Sequence, residues 1–297
     1  MTRRLSVTVV VPIRNEAKNL AACLSRLRRF DEVIVVDSGS TDGSADIARD
    51  FGAAVLQFNW NGRYPKKRNW VLLNQRLANS WVLFLDADEF VDDAFCDELA
   101  RRIDGPRYSV FWLTYPTYFL GKPLRHGVPQ RKLALFRVGK GLYERIDEER
   151  WSDLDMEVHE HPIIDGEVGE IAAPIMHDDR SGLAVFIERH RSYALWESRR
   201  FLRLEEGGPA MRERLTERQR AKYANLTRWW FPWAYFGYSY FVRLGFLDGR
   251  AGFLHAFYKL WYFETVRQLI LELRRDRAAE SADDRVQSPA PARSEQA

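Results

Sequence analysis

One stretch, Trp81-Val82-Leu83-Phe84-Leu85-Asp86-Ala87-Asp88-Glu89, does most to limit the fold. A continuous apolar run reads as a strand covered on both faces, as strands of parallel sheets are. This one ends abruptly in acid. Side chains alternate faces along a strand, so Asp86 and Asp88 point the same way if the extended geometry persists. In open α/β sheets, ligands gather at the carboxyl ends of the strands. Two carboxylates converging there repel unless a cation sits between them, and hard oxygen donors suit Mg²⁺ or Mn²⁺. The run therefore predicts a divalent-metal site at a sheet edge, and with it phosphate chemistry.

The flanking sequence is consistent with such a sheet. Strand patterns at Ser6–Val11, Glu32–Val36 and Ala53–Gln57 join Trp81–Leu85, with helical stretches at Glu16–Arg28, Gly43–Phe51 and Pro65–Leu77. This alternation predicts βαβ units and a mostly parallel sheet. From Tyr108 to Met176 the pattern becomes short β-like runs, Ser109–Tyr115 and Leu133–Phe136, broken by Gly, Pro and charge. That reads as a mixed sheet carrying loops over a site. From Leu183 the chain turns helical, with Leu183, Ile187, Ala194 and Phe201 at roughly helical spacing and a break at Gly207-Gly208-Pro209. The expected division is a catalytic domain over residues 1–180, in halves 1–104 and 105–180, then a helical region over 181–276. Residues 277–297 are too poor in apolar side chains to build a core and read as a disordered tail.

Net charge is only +3, with 45 basic and 42 acidic residues well mixed. No block of Lys or Arg stands out, so a nucleic-acid partner is not expected. Cys23 and Cys96 fall in helical stretches and read as buried thiols in a reducing compartment. The apolar run Val7–Val11 is too short for a signal-peptide core. Together these predict a cytoplasmic protein.

Two further turns reach the same sheet edge. After the first strand comes Pro12-Ile13-Arg14-Asn15-Glu16, where Pro12 ends the strand and Asn15 can cap a helix opening at Glu16. After the second comes Asp37-Ser38-Gly39-Ser40-Thr41-Asp42-Gly43. Asp37 can accept from a base N–H or a ribose hydroxyl, and the glycines let a ligand approach the backbone. Each turn alone passes for helix capping. Their position beside Asp86 and Asp88 favours a ligand site.

Those three motifs in order, with Val10-Val11 and Val35-Val36 leading the first two, resemble the family 2 glycosyltransferases. The resemblance covers roughly residues 5–180 and implies a GT-A fold, a Rossmann-like α/β domain with a mixed sheet. It also implies a nucleotide-sugar donor and Mn²⁺ or Mg²⁺ as cofactor. Within the family the chain is most similar to bacterial lipopolysaccharide-core and exopolysaccharide transferases, through Trp60-Asn61-Gly62, Lys67-Arg68-Asn69 and Val158-His159-Glu160. By this resemblance Pro12, Asn15, Glu16 and Asp37 border the nucleoside, and Arg68 holds the uridine or the diphosphate. Asp88 ligates the metal, Asp86 lies near both ribose and metal, and His177 is a further candidate ligand. Lys66, Lys67 and Arg68 form the basic cluster nearest in sequence. Cations at a helix N-terminus oppose the helix dipole, which hints at an anion there.

Inverting transfer needs a base for the acceptor hydroxyl. Glu160 is the leading candidate and Glu157 the second, with His159 as an orienting or phosphate-binding group. Arg125, His126, Arg131, Lys132 and Arg137 form a basic stretch suited to a phosphorylated acceptor. The Arg-Leu-Phe-Arg of the relatives stands here as Ala134-Leu135-Phe136-Arg137, with Arg131 as a nearby substitute.

The segment Trp229–Phe241 is dense in aromatics, which favour the membrane headgroup layer. It falls short of the roughly 20 residues that cross a bilayer, and charges in the next helix fall on no single face. An interfacial helical hairpin at the inner face of the cytoplasmic membrane is therefore expected, with a glycan or lipid-linked acceptor. Two other readings share parts of the pattern. A sugar nucleotidyltransferase would carry a Gly-rich basic signature after the first strand, where Pro12-Ile13-Arg14-Asn15-Glu16 stands instead. A non-catalytic, membrane-bound nucleotide-sugar-binding scaffold would tolerate loss of the acids, which are intact.

Overall fold

The apolar run from Val7 to Ile13 is buried throughout, because strands pack on both of its edges and helices on both of its faces. The computed structural model describes residues 4–146, 154–156, 161–177, 182–213 and 215–287. In chain order the first half holds β1 (Leu5–Ile13), α1 (Ala17–Ser25), β2 (Phe30–Asp37), α2 (Ser44–Asp50), β3 (Ala54–Gln57), α3 (Lys67–Asn74) and β4 (Trp81–Phe84). After the acidic turn come β5 (Glu89–Phe90), α4 (Asp93–Ile103) and β6 (Tyr108–Tyr115), then the small hairpin β7 (Tyr118–Phe119) and β8 (Lys122–Pro123). The half closes with β9 (Gln130–Arg137), β10 (Gly141–Tyr143), β11 (Pro162–Ile164), β12 (Glu167–Ile171) and β13 (Met176–His177).

Seven strands form one sheet in the order β12-β6-β9-β4-β1-β2-β3. Strands β1 to β4 are mutually parallel, β9 runs antiparallel to both β4 and β6, and β12 is parallel to β6. This is the α/β mixed sheet that the sequence pattern predicts. Alternation along β1 and β4 divides the core. Val7, Val9, Val11, Leu83 and Leu85 face α1 and α4, whose Leu20, Leu24, Phe95 and Leu99 are buried with them. Val10, Val82 and Phe84 face the other way, onto Phe58, Val71, Phe136 and Tyr143. Burying each such side chain stabilises by about 1.5–3 kcal/mol. The parallel register sets the carboxyl ends of β1, β2 and β4 side by side, with Ile13 opposite Asp37 and Val10 opposite Phe84.

The chain divides into two compact units. One comprises residues 1–185 together with 243–253, and the other 186–242 with 254–297. The first unit thus recovers a piece of the expected helical region. There Gly245–Asp248 makes a turn of 3₁₀ helix, and the Asp248 carboxylate accepts from the backbone N–H of Arg125 (3.1 Å) and His126 (2.9 Å) and pairs with His126 Nδ1 (3.1 Å).

The second unit is helical. It takes in most of α5 (Leu183–Glu206), all of α6 (Gly208–Glu213), α7 (Glu217–Asn225) and α8 (Phe231–Gly237), a π-helical turn at Tyr238–Val242, and most of α9 (Gly249–Gln287). Its core is Ala194, Phe201, Leu202, Leu226, Tyr262, Val266 and Ile270. Thr216 and Gln219 form a reciprocal capping box on α7. Phe231 and Tyr235 of α8 meet Phe263 of α9 edge-on and tilted, at 5.2 and 4.8 Å between ring centroids. Helix α9 runs on to Gln287, past the point where composition alone starts a disordered tail. Among the described residues no helix is long and apolar enough to cross a membrane.

Candidate active site

Three loops leave the carboxyl ends of β1, β2 and β4, and the first two lace together. Asn15, at positive φ (57°), accepts from Thr41 N–H through Oδ1 at 2.8 Å. The backbone N–H groups of Asn15, Glu16 and Ala17 donate to Ser40 Oγ, Ser44 Oγ and Asp42 Oδ2. Helix α1 opens at Ala17 with Glu16 as its N-cap residue, and no side-chain cap bond is made from that position. The expectation that Asn15 caps this helix is therefore corrected. Side chains of the β2–α2 loop and of Ser44 take the N–H groups of Asn15, Glu16 and Ala17 at the entry to α1, and Asn15 instead ties the two loops together. Pro12 is buried beside them, and Glu16, half-buried, accepts from Asn19 Nδ2 at 2.9 Å.

Asp37 ends β2 almost wholly buried. Its Oδ1 accepts from both the N–H (2.9 Å) and the hydroxyl (2.6 Å) of Ser40, and its Oδ2 accepts from Gln57 Nε2 at 3.2 Å. Gln57 stands opposite it in the β2–β3 register. Sequence reading passes over Gln57, because only strand pairing brings it there.

Of the basic cluster, Lys67 is turned inward. Its ammonium donates to Ile13 C=O at 3.0 Å and pairs with Asp155 at 3.2 Å, and burial pushes it below its ordinary pKa. It fastens α3 to the end of β1. Arg68 instead reaches the acidic turn, with Nη2 2.7 Å from Asp86 Oδ1 and its guanidinium 5.4 Å from the centre of the Tyr143 ring.

The acidic turn is where the structure departs most from expectation. Asp86 Oδ2 accepts from Lys132 Nζ of β9 at 3.1 Å, and Lys132 also pairs with Glu89. Both oxygens of Asp86 are thus engaged by protein cations. Burial alone would raise its carboxyl pKa, but Lys132 and Arg68 outweigh that and hold it well below the usual range. Glu89, 1% exposed, accepts from Asp86 N–H at 3.1 Å, and burial pushes its carboxyl up. Burial opposes the Lys132 charge, yet Asp86 and Glu89 raise its pKa well above the ordinary value. The two other basic residues of β9 face elsewhere. Arg131 pairs with Glu170 at 2.9 Å, and Arg137 donates to Gly105 and Tyr108 carbonyls at 2.6 and 2.9 Å.

Asp88 has a different partner. Strand β13 pairs antiparallel with β5, setting His177 opposite Glu89, and His177 Nε2 lies 3.3 Å from Asp88 Oδ2. Burial lowers the imidazole pKa, but the hydrogen bond and charge of Asp88 more than offset it, for a net rise. Among the described residues no group of three or more His, Cys, Asp or Glu side chains converges as a metal cage. The donors present nevertheless fit a divalent ion in part. Asp88 and His177 are adjacent, and Mg²⁺-type sites draw on one or two carboxylates plus substrate phosphates and water. Each oxygen of Asp86 holds one cation, Arg68 or Lys132. The repulsion that seemed to demand a metal between Asp86 and Asp88 is answered by protein side chains.

Glu157, His159 and Glu160 lie outside the described residues.

The family model for glycosyl transferase family 2 matches residues 8–158, just over half of the 297-residue chain. Lipopolysaccharide core biosynthesis glycosyltransferase LpsC of Rhizobium meliloti is 29% identical over 177 residues, covering 57% of this chain and 61% of that protein. An uncharacterized glycosyltransferase of Rickettsia felis is 34% identical over 94 residues, covering 31% of this chain and 32% of that protein. The chain thus spans less than two thirds of these relatives. Among solved structures, glucosyl-3-phosphoglycerate synthase from Mycobacterium tuberculosis, in complex with Mn²⁺, UDP and glucosyl-3-phosphoglycerate, aligns at a TM-score of 0.30 and 23% identity. That alignment covers 38% of this chain and 44% of that one. One continuous family match runs through the Asn15 and Asp37 loops, Arg68 and the Asp86–Asp88 turn, and the chain belongs to glycosyl transferase family 2.

Proposed function

We propose that the protein transfers a sugar, with inversion, from a nucleoside-diphosphate donor to a glycan or lipid-linked acceptor in cell-surface polysaccharide or lipopolysaccharide assembly. Uracil is the expected base. One observation carries this reading. The sheet edge that holds the buried acceptor Asp37 also holds two cations, Arg68 and Lys132, and the Asp88–His177 pair. A nucleoside needs the first, and a departing diphosphate needs the others.

Asp37, with one oxygen fixed by Ser40, presents the other toward the base beside Gln57. Arg68 holds the diphosphate side of the donor. Mn²⁺ or Mg²⁺, held by Asp88 and His177, supplies Lewis-acid stabilisation of the leaving group when bound. Glu160 takes the proton of the acceptor hydroxyl, with Glu157 the second candidate. The helical unit places the enzyme on the inner face of the cytoplasmic membrane. Trp229, Trp233, Phe241 and Val242 are all at least 60% exposed there. No Asp or Glu occurs between Arg218 and Val242, whereas Arg218, Arg220 and Arg228 do. Wet-and-apolar aromatics with neighbouring cations suit an anionic headgroup layer. Buried, unpaired Cys23 and Cys96 are in keeping with a reducing compartment.

The test is a turnover screen of UDP-, GDP-, CDP- and ADP-sugars with Mn²⁺ and with Mg²⁺. Release of a nucleoside diphosphate is expected. Pyrophosphate release from a nucleoside triphosphate would indicate a nucleotidyltransferase instead, and donor binding without turnover a scaffold.

A further inference from the structure

Within the first unit, loop 125–127 and the turn at 243–248 are tied into one joint. Besides the bonds to Asp248, the Gly127 N–H donates to Arg243 C=O at 2.8 Å. The joint adjoins the Asp88–His177 pair. Thr117 bridges His177, and Leu124 N–H closes the β7–β8 hairpin onto Thr117 C=O at 2.7 Å, one residue before Arg125.

Charge here has one sign. Residues 105–143 contain no Asp or Glu, and residues 243–263 contain only Asp248, whose side chain is 8% exposed and engaged by the loop. Arg125 and Arg250 are exposed, and among the described residues neither pairs with an acid. On the same segments Leu120, Leu244, Phe246 and Leu247 are each at least 43% exposed. Two of them are held against backbone preference. Leu120 (φ 53°) and Leu244 (φ 58°) are, with Asn15, the non-glycine residues at positive φ among the described residues. An L side chain is disfavoured there, and Leu120 takes the first central position of a two-residue hairpin turn, where Asn is the usual choice. An exposed leucine in that conformation adds nothing to the core, and such strain concentrates where ligands are held.

Arginines beside bare leucines match a lipid, whose phosphate meets the cations and whose chain meets the apolar side chains. A free phosphate makes no use of the leucines, and a second copy of this face would set arginine against arginine. We propose that the joint docks the phosphate and adjoining hydrocarbon of a phosphate-bearing lipid, and so brings a lipid-linked acceptor to the Asp88–His177 pair. This rests on the transferase reading and narrows its acceptor to the lipid-linked kind. The face belongs to a different unit from the Trp229–Phe241 segment.

The experiment is photo-cross-linking of the full chain to phosphatidylcholine vesicles containing phosphatidylglycerol with a diazirine in its acyl chain. Mass spectrometry maps the labelled residues. The wild type should be labelled within 118–126 and 244–250. Arg125→Gln/Arg250→Gln should cut that labelling about tenfold or more relative to any at 229–242. Leu120→Asn/Leu244→Asn should cut it about fivefold, while the thermal unfolding midpoint holds or rises because Asn accepts positive φ. Unchanged labelling in either folded variant overturns the proposal. So does equal labelling by a diazirine phosphatidylcholine, or displacement by inorganic phosphate at constant ionic strength, which marks a free-phosphate site. Labelling confined to 229–242 overturns it too, with membrane attachment intact. If the donor screen shows no transfer, the transferase reading falls and the acceptor role with it, whatever the labelling.

Discussion

His177 stands opposite Glu89 across the two-residue strands β5 and β13, and this places its Nε2 3.3 Å from Asp88 Oδ2. The pair supplies one carboxylate and one imidazole at a sheet edge. Asp88→Ala is expected to remove the stabilising effect of Mn²⁺ with nucleoside diphosphate in thermal unfolding, and to cut transfer by roughly 100-fold or more. The unliganded fold should survive, because the main core lies behind the turn. Full turnover of that variant with metal chelated would refute the assignment.

Glu160→Gln keeps the size of the side chain and removes its basicity. A positioned general base contributes roughly 10²–10⁴-fold, so transfer should slow by that order while donor affinity stays level. Comparing donor titration with acceptor-dependent rate separates the two. A rate loss found in Glu157→Gln instead would move the base by three positions.

Asp248 holds the 125–127 loop from more than a hundred residues away, through three donors. Asp248→Ala leaves those donors unpaired or wet, at roughly 1–3 kcal/mol for each that stays buried. The expected outcome is a lower unfolding midpoint, read by calorimetry, with Asp248→Asn intermediate because it keeps one acceptor oxygen. An unaltered midpoint would mean that this tie is too solvated to contribute.

For the exposed aromatic segment, Trp229→Ser/Trp233→Ser/Phe241→Ser should lower co-sedimentation with phosphatidylglycerol-containing vesicles. These side chains are 71%, 61% and 60% exposed, so the fold should tolerate the change. Binding of the wild type should also weaken with salt, and more so than binding to phosphatidylcholine vesicles. Equal sedimentation of wild type and variant would remove the membrane from the proposed function.

His190 offers a pH test within the helical unit. Its ring stacks on Phe186 with centroids 3.9 Å apart, and its Nδ1 contacts the Phe186 carbonyl at 2.9 Å. Burial first, and the Lys259 charge second, push its pKa down to about 4. Between about 4 and the unfolded value near 6.5 the unfolded chain binds the extra proton, so stability rises with pH through that window. This contribution, on the order of 3 kcal/mol, is complete above pH 6.5 and lost as pH falls toward 4. Urea unfolding of His190→Gln should show a shallower decline than wild type over that range; parallel curves would show that His190 titrates normally.

How far the sequence could be read depended on the range of each interaction. Alternating apolar positions and helix breaks are local signals, and they located β1 to β4 and the helices between them to within a few residues. The same local logic failed at Asn15, whose partner Thr41 sits on another loop. Basic residues on β9 were visible, but nothing local distinguished Lys132 from Arg131. Strand pleat and pairing turn one toward Asp86 and the other toward Glu170.

By itself, then, the sequence determined an α/β sheet with acids at its carboxyl edge, because side-chain periodicity and turn chemistry act over a few residues. Tertiary structure decided what those acids hold. Lys132 meets Asp86 across 46 residues, and Asp248 meets His126 across 122. Such pairings depend on strand register and on which segment returns to the sheet. A carboxylate picked out by its spacing holds two cations, Arg68 and Lys132, because the fold chose its neighbours.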